Sequence, residues 1–427
     1  MQTFSRTTGI SVVVANMIGT GVFTSLGFQL LGIQSFFVLM ALWLIGGLTA
    51  LCGALTYAEL GANLPRSGGE YNFLSRLYHP AAGFISGWVS ATVGFAAPVA
   101  LAAMTFGAYL SAVFPNISAR WSAVALVLIL TLLHCRSRQT SSAVQQLFTA
   151  LKVLLIILFC ATIFIWGGTP QPISFAPQSG DSTVIFSGAF AVALIYVNYA
   201  YTGWNAVTYV TSELEDPQRN LPIVLLVGTG LVMMLYLLLN FTFLSAAPIA
   251  ILEGKLEVGV IVADHALGDS AGKAMGLILA LLLISTVSAM TMAGPRVLQV
   301  IGEDFRLFSI LSRCNSHGVP MTAIFFQGLL AVIFILSATF ESVLIFSSFV
   351  LGLNTLFAVL GVFVLRWKKL TIDGAYKTFS YPFAPLIYLS VTIWTLAYVF
   401  ISRPIEGGIG IIMIAVGGLL YKLSVNK

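Results

Sequence analysis

Two glycines flank a threonine at Gly19-Thr20-Gly21, in the middle of the first long apolar run of the chain. Glycine inside a helix costs backbone entropy and leaves peptide groups open. In a bilayer those groups need a partner, and non-helical backbone at membrane depth persists where it is buried in protein or lines a cavity. A ligand can be that partner. A helix interrupted here offers N–H groups to a carboxylate and C=O groups to an ammonium at one point, which suits a zwitterion. A second interruption, Tyr199-Ala200-Tyr201-Thr202-Gly203-Trp204-Asn205, falls at mid-length of a later apolar run. One basic residue, Lys152, lies inside a third. A charge at a helix centre costs ~2.5–3.5 kcal/mol on insertion scales, so such a residue faces the bundle interior and is functional by default. Snorkelling of Lys152 to the inner interface is the competing reading.

The elements that position these residues follow from composition. With 58% hydrophobic and 8% charged residues over 427 positions, the chain reads as an all-α polytopic membrane protein, since soluble domains carry about a quarter charged residues. Mean hydropathy is +0.98, and no water-facing domain of useful size remains. Helices are expected at 8–31, 36–61, 82–114, 119–134, 144–167, 184–212, 222–246, 271–300, 319–339, 341–367, 380–402 and 407–424, twelve spans in all. With the N-terminus inside, all of the 20 basic residues fall on the cytoplasmic side except Lys152 and the outer Arg120, Lys255, Lys273 and Arg403. Arg138 and Lys427 count among the inner ones, and the asymmetry puts both ends in the cytoplasm of a cell-membrane protein. The basic residues are scattered through short loops, which excludes a nucleic-acid partner. Met1 to Thr8 is too short to precede the first span as a signal peptide, so that span is expected to be retained. Cys52, Cys135, Cys160 and Cys314 have no CxxC spacing, and neither a disulfide nor a metal site is expected.

Interrupted spans one and six stand five spans apart, and an odd offset reverses orientation. That is the sequence pointer to an inverted-topology transporter with its site at the repeat interface. The expected organisation is a single transporter domain over 1–427, with a first repeat at 8–167, a second at 184–367 and two additional helices at 380–424. Further motifs agree in order and spacing. Ile18-Gly19-Thr20-Gly21-Val22-Phe23, Tyr57-Ala58-Glu59-Leu60-Gly61, Pro65-Arg66-Ser67-Gly68-Gly69-Glu70-Tyr71, the run from Glu213 to Pro222 and Gly294-Pro295-Arg296 together resemble the amino acid-polyamine-organocation superfamily. The Tyr201 to Asn205 stretch is similar to the L-type amino-acid transporters, whose segment reads Gly-Gly-Trp-Asn. Thr202 replaces the first of those glycines and makes the pocket floor bulkier.

The resemblance implies a 5+5 inverted repeat with broken helices 1 and 6. It also implies that main-chain N–H groups of the break at Gly19, Thr20 and Gly21 hold the substrate carboxylate, with the Thr20 hydroxyl as an extra donor. The ammonium would face carbonyls of Met17, Tyr199 and Thr202. Tyr199 would close over the substrate from outside, and Asn205 would brace the sixth helix. Lys152 would occupy the place that sodium takes in sodium-coupled relatives, touching the first break and hydroxyls of the eighth helix. Ser285, Thr286 and Ser288 are the candidate partners.

Competing roles are plain for several of these residues. Close helix–helix contact is the alternative for the glycines, but Gly-Thr-Gly has the wrong spacing for the small-xxx-small pattern. A dinucleotide fingerprint lacks its strand and its third glycine. Tyr196 and Trp204 stay open between packing and pocket lining. Glu59 is expected to anchor the loop carrying Arg66. His79, His134, His265 and His317 are expected as solvated or interface residues without metal spacing. Glu213, Glu215, Asp216 and Arg219 read equally as part of a cytoplasmic gate or as a solvated helix end.

These features point to a sodium-independent transporter of neutral L-amino acids working by alternating access, with protons as the coupling ion. An exchanger or exporter, or a carrier of cationic amino acids or polyamines, is the alternative. The neutral reading rests on the expectation that no acidic residue lies at pocket depth. No Walker A run, metal set or intramembrane nucleophile is present, so neither a cofactor nor an enzyme is expected. A channel or receptor would not require two breaks at symmetric positions. The 115–119 loop has no cysteine, so no disulfide to a heavy subunit is expected.

Overall fold

A bilayer leaves helices as the simplest way to satisfy every backbone group within one segment. The computed structural model describes residues 4–136, 142–174, 176–315 and 318–425. Among these there is no strand, and an isolated bridge joins Phe4 to Leu214. Arg138, His317 and Lys427 lie outside the described residues.

In chain order the helices are α1 (Arg6–Met17), α2 (Gly21–Leu30), α3 (Phe36–Asn63), α4 (Glu70–Leu77), α5 (Pro80–Val89), α6 (Ala96–Val113), α7 (Ala119–Arg136), α8 (Ser142–Trp166) and α9 (Asp181–Ile185). They continue with α10 (Gly188–Tyr201), α11 (Pro217–Ala246), α12 (Ile249–Leu252), α13 (Val258–Leu267), α14 (Asp269–Asp304), α15 (Met321–Ser337), α16 (Phe340–Trp367), α17 (Phe383–Ser402) and α18 (Pro404–Val425).

Among the described residues, nine stretches are long and apolar enough to cross a membrane, the first combining α1 and α2 across their break. Of the other expected spans, α7 and α15 are shorter apolar helices. The sixth ends at Tyr201 because the chain leaves helical geometry at Thr202 (ψ 140°) and resumes as a tight 3-10 turn over Ala206–Glu213. The expected third span is also not one continuous helix. A π-helical turn at Ser90–Gly94 separates α5 from α6 and turns Gly94, Phe95 and Pro98 toward a central cavity. The connection between α3 and α5 carries α4, and that between α11 and α14 carries α12 and α13.

Buried faces join these helices around one core. The long α14 packs most extensively on α6, α11 lies against α3, and α1 against α11. The broken pair α1/α2 and α10 thereby runs through the middle of the bundle, bordered by longer helices on both sides.

Candidate substrate site between two broken helices

The two breaks meet. Gly21 opens α2 against the Ala200 main chain of α10, so closely that a Cβ would collide with it, whereas a Cβ on Gly19 would meet only the Met17 carbonyl, at an ordinary contact distance of 3.9 Å. This corrects the spacing argument above, because Gly21 does serve a close helix–helix contact. Gly203 has φ +106° and abuts the Asn16 main chain, so the sixth break also needs glycine for both conformation and approach. The Thr20 hydroxyl lies 3.4 Å from the Tyr199 hydroxyl across the gap.

A cavity of 1160 Å³ opens beside them. Met17, Gly19, Thr20 and Gly21 line it from the first break, and Tyr199, Thr202 and Asn205 from the sixth. Its mouth is lined by the exposed Ser5, Arg66, Glu213 and Glu215. Tyr196 stacks on Phe28 (5.7 Å) and donates to Glu341 (2.7 Å), which also pairs with Arg403. Tyr196 is therefore a packing residue outside the cavity lining. Trp204 lines the cavity while packing edge-on against Tyr57 at 4.7 Å.

Hydrogen bonds show which backbone groups are already engaged. The Met17 carbonyl accepts from the Gly19 N–H (2.8 Å) and from the Tyr236 hydroxyl, so both of its lone pairs are used in this state. Tyr236 also donates to the Ala200 carbonyl at 3.1 Å and thus bridges the two breaks. An ammonium at Met17 would have to displace one of these donors. The Tyr199 carbonyl accepts from the Thr202 N–H at 3.0 Å, and the Thr202 hydroxyl turns back onto the Asn198 carbonyl at 3.0 Å.

Lys152, nine-tenths buried on α8, donates to the Ile18 carbonyl at 3.1 Å and to the Thr286 hydroxyl at 2.8 Å. The ammonium thus ties the first break to α14. Of its three expected partners, Thr286 alone makes the bond. Ser288 points toward α7 and pairs with His134 at 2.8 Å, and Ser285 is not bonded to the lysine, because successive helix positions turn about 100° apart. His134 is accordingly packed between helices rather than solvated.

Two expectations about acids are corrected. Glu59 does not hold the Arg66 loop; it makes a two-pronged ion pair with Arg366 on α16 (2.8 Å each) and accepts from the Thr378 N–H. The last turns of α3 face α16, and the planar guanidinium matches the carboxylate. Nor is the pocket free of acids as expected: Glu70, the first residue of α4, is fully buried and lines the cavity. Its Oε1 accepts from the Asn205 side-chain amide (2.5 Å) and from the Tyr57 hydroxyl (2.8 Å). An acid therefore does lie in the pocket wall, and absence of acids no longer supports a neutral substrate.

Sequence reasoning missed Tyr236, Tyr57 and Glu70. For Tyr236 the signal was a lone phenol amid the apolar run of α11, which in hydrocarbon calls for an acceptor. For Glu70 none was available, since a Gly-Gly-Glu turn reads as surface.

A bundle of apolar helices, two of them broken at mid-length around a shared cavity, defines an integral membrane protein of the transporter class. The chain belongs to the amino acid permease family, whose model matches residues 4–419. It is 28% identical over 423 residues to the b(0,+)-type amino acid transporter 1 of Mus musculus, covering 97% of this chain and 85% of that protein. It is 29% identical over 429 residues to the large neutral amino acids transporter small subunit 2 of the same organism, covering 97% and 79%. The family and these relatives are transporters rather than enzymes.

Proposed function

We propose that this protein is a sodium-independent secondary transporter of neutral L-amino acids, working by alternating access and coupled to protons. The observation that carries the reading is the junction of the two breaks: Gly21 against Ala200, with Lys152 on the Ile18 carbonyl and Tyr236 on the carbonyls of Met17 and Ala200. The first N–H groups of a helix have no partner within it, so the start of α2 at Thr20 and Gly21 suits a carboxylate at the cavity wall. The ammonium of Lys152 supplies the positive charge that a coupling cation would otherwise bring to this point.

Twelve spans follow if α7, α15 and the broken sixth helix cross as well, arranged as repeats at 8–167 and 184–367 with two helices beyond. In that topology both termini are cytoplasmic and the cavity opens inward. A neutral side chain fits the hydroxyl-bearing wall of Thr49, Ser348, Thr392 and Thr395, with Glu70 already engaged by two neutral donors. No disulfide-linked heavy subunit is part of this reading, given the cysteine-free 115–119 loop.

A thermal-shift screen of the detergent-solubilised protein against the proteinogenic amino acids tests the substrate, because a ligand of the folded state raises the melting temperature with occupancy. Stabilisation by small and medium neutral amino acids is expected, and by amines lacking a carboxylate it is not. In proteoliposomes, uptake should be indifferent to replacing sodium with choline and should rise with an acid-outside gradient. Strict sodium dependence overturns the coupling assignment. Uptake that needs internal amino acid and ignores the gradient makes the protein an exchanger.

A further inference from the structure

Ser67, Gly68, Gly69 and Glu70 run antiparallel along the inner half of the sixth helix, each with a partner. Ser67 pairs with Ser212 by side chain (2.5 Å) and accepts its N–H (3.0 Å). Gly68 and Gly69 donate their N–H groups to the carbonyls of Tyr209 and Thr208, both at 3.2 Å. Glu70 accepts from Asn205. The partners fall from 212 to 205 as the strap rises from 67 to 70. Gly69, at φ +51°, lies so near the Tyr209 ring that a Cβ would press on it at 2.9 Å. Asn72 locks the turn by donating to the carbonyls of Leu64 and Arg66, and Tyr71 reaches Asp304 on α14. Burial and that carboxylate push the Tyr71 phenol up, so it stays a donor.

The segment it supports needs outside help. Ala206–Glu213 is a 3-10 turn with non-helical geometry at Val210, and such turns bond poorly within themselves. Trp204 and Asn205, which form the cavity wall just before it, have no regular helix to hold them. Tyr57 grips both ends of this junction, packing on Trp204 and donating to Glu70.

We propose that Ser67–Glu70 is a brace that positions the Trp204–Asn205 wall of the cavity, with Glu70 as its positioning residue. Glu70 acts as a hydrogen-bond acceptor and not as a charge. The Asn205 and Tyr57 donors converge on Oε1, the Tyr209 hydroxyl also faces this carboxylate, and no salt bridge among the described residues reaches it. A glutamine offers the same acceptor without a buried charge, and a buried charge without a counter-ion is the unfavourable part of the arrangement. The inference rests on the assignment of Asn205 to the substrate site.

The test compares Glu70→Gln, Glu70→Ala, Asn205→Ala and the double alanine variant in proteoliposomes, using radiolabelled L-alanine and L-leucine, with melting temperatures alongside. Glu70→Gln should stay within about threefold of the parent in kcat/KM and melt no lower. Glu70→Ala should lose about tenfold or more, carried by KM, on the scale of a buried donor left without its acceptor. The double variant should be no worse than the worse single one, as for residues acting through one contact. Glu70→Gln as damaging as Glu70→Ala in folded protein would mean that the charge is what matters, and overturns the brace. Normal KM in Glu70→Ala with a raised KM in Asn205→Ala also overturns it while leaving the site assignment standing. Normal KM in Asn205→Ala removes the site assignment itself and the brace with it. Should Glu70→Ala fail to fold, Tyr57→Phe takes its place: losing one donor to Oε1 must raise KM, and an unchanged KM refutes the proposal.

Discussion

The two breaks use opposite chemistry to solve the same problem. At the first, carbonyls are exposed, and the groups that reach them are donors from other helices: the Lys152 ammonium on Ile18 and the Tyr236 hydroxyl on Met17. At the sixth, the exposed group is a side-chain amide donor, Asn205, and its partner is an acceptor from a connecting segment, Glu70. A cation therefore supports one break and a carboxylate the other. The first is tied to helices α8, α11 and α14, the sixth to α11 through Tyr236 and also to the Ser67–Glu70 segment. Motion of the Ser67–Glu70 segment would thus be felt first at the sixth break.

Several substitutions probe that contrast. The largest effect belongs to Gly21→Leu, where a side chain must enter the Ala200 main chain and separate the breaks. Uptake should fall at least about a hundredfold, as expected when overpacking displaces backbone. Unchanged affinity for every amino acid in well-folded Gly21→Leu protein would sink the junction as the site. Next is Lys152→Ala, which leaves the Ile18 carbonyl and Thr286 without their cation. Transport should drop at least about a hundredfold, the scale of two charge-assisted hydrogen bonds, in protein that still elutes as a single species. Full activity would show that the first break does not depend on a cation.

Tyr236→Phe removes the hydroxyl that bridges the breaks and strips a donor from two buried carbonyls. The expected cost is about 1–3 kcal/mol, read as a lower melting temperature with the bundle intact. No change in melting would mean that the breaks are satisfied independently. The smallest effect is a shift in preference. Thr202→Gly clears a methyl and hydroxyl from the half-buried cavity floor, and competition by leucine relative to alanine should improve by about tenfold or less. If the native protein already favours tryptophan over alanine, Thr202 does not limit the pocket.

The breaks themselves were legible because glycine and polar residues amid apolar runs are local features: Gly19-Thr20-Gly21 and Thr202-Gly203 announce them without reference to any neighbour. Lys152 was legible for the same reason, since a charge in an apolar helix needs a partner wherever the helix goes. Its choice of Thr286 over Ser285 and Ser288 was not, because three hydroxyls within four positions of one helix differ only in azimuth, and azimuth is set by how α14 packs on α6 and α8.

Composition, periodicity and those local interruptions determined that the chain is a helical membrane protein and that its helices break at Gly19–Gly21 and at Thr202–Gly203, but not the π-helical turn at Ser90–Gly94. Tertiary structure decided the rest: that Gly21 is needed for the approach of Ala200, that Glu59 pairs with Arg366 across a sequence separation of 307, and that Glu70 puts an acid into the cavity wall. The physical reason is range. Backbone breaks and desolvated charges carry their cost within a few residues of sequence, whereas the partner that offsets the cost is found only when distant segments are brought within hydrogen-bonding distance.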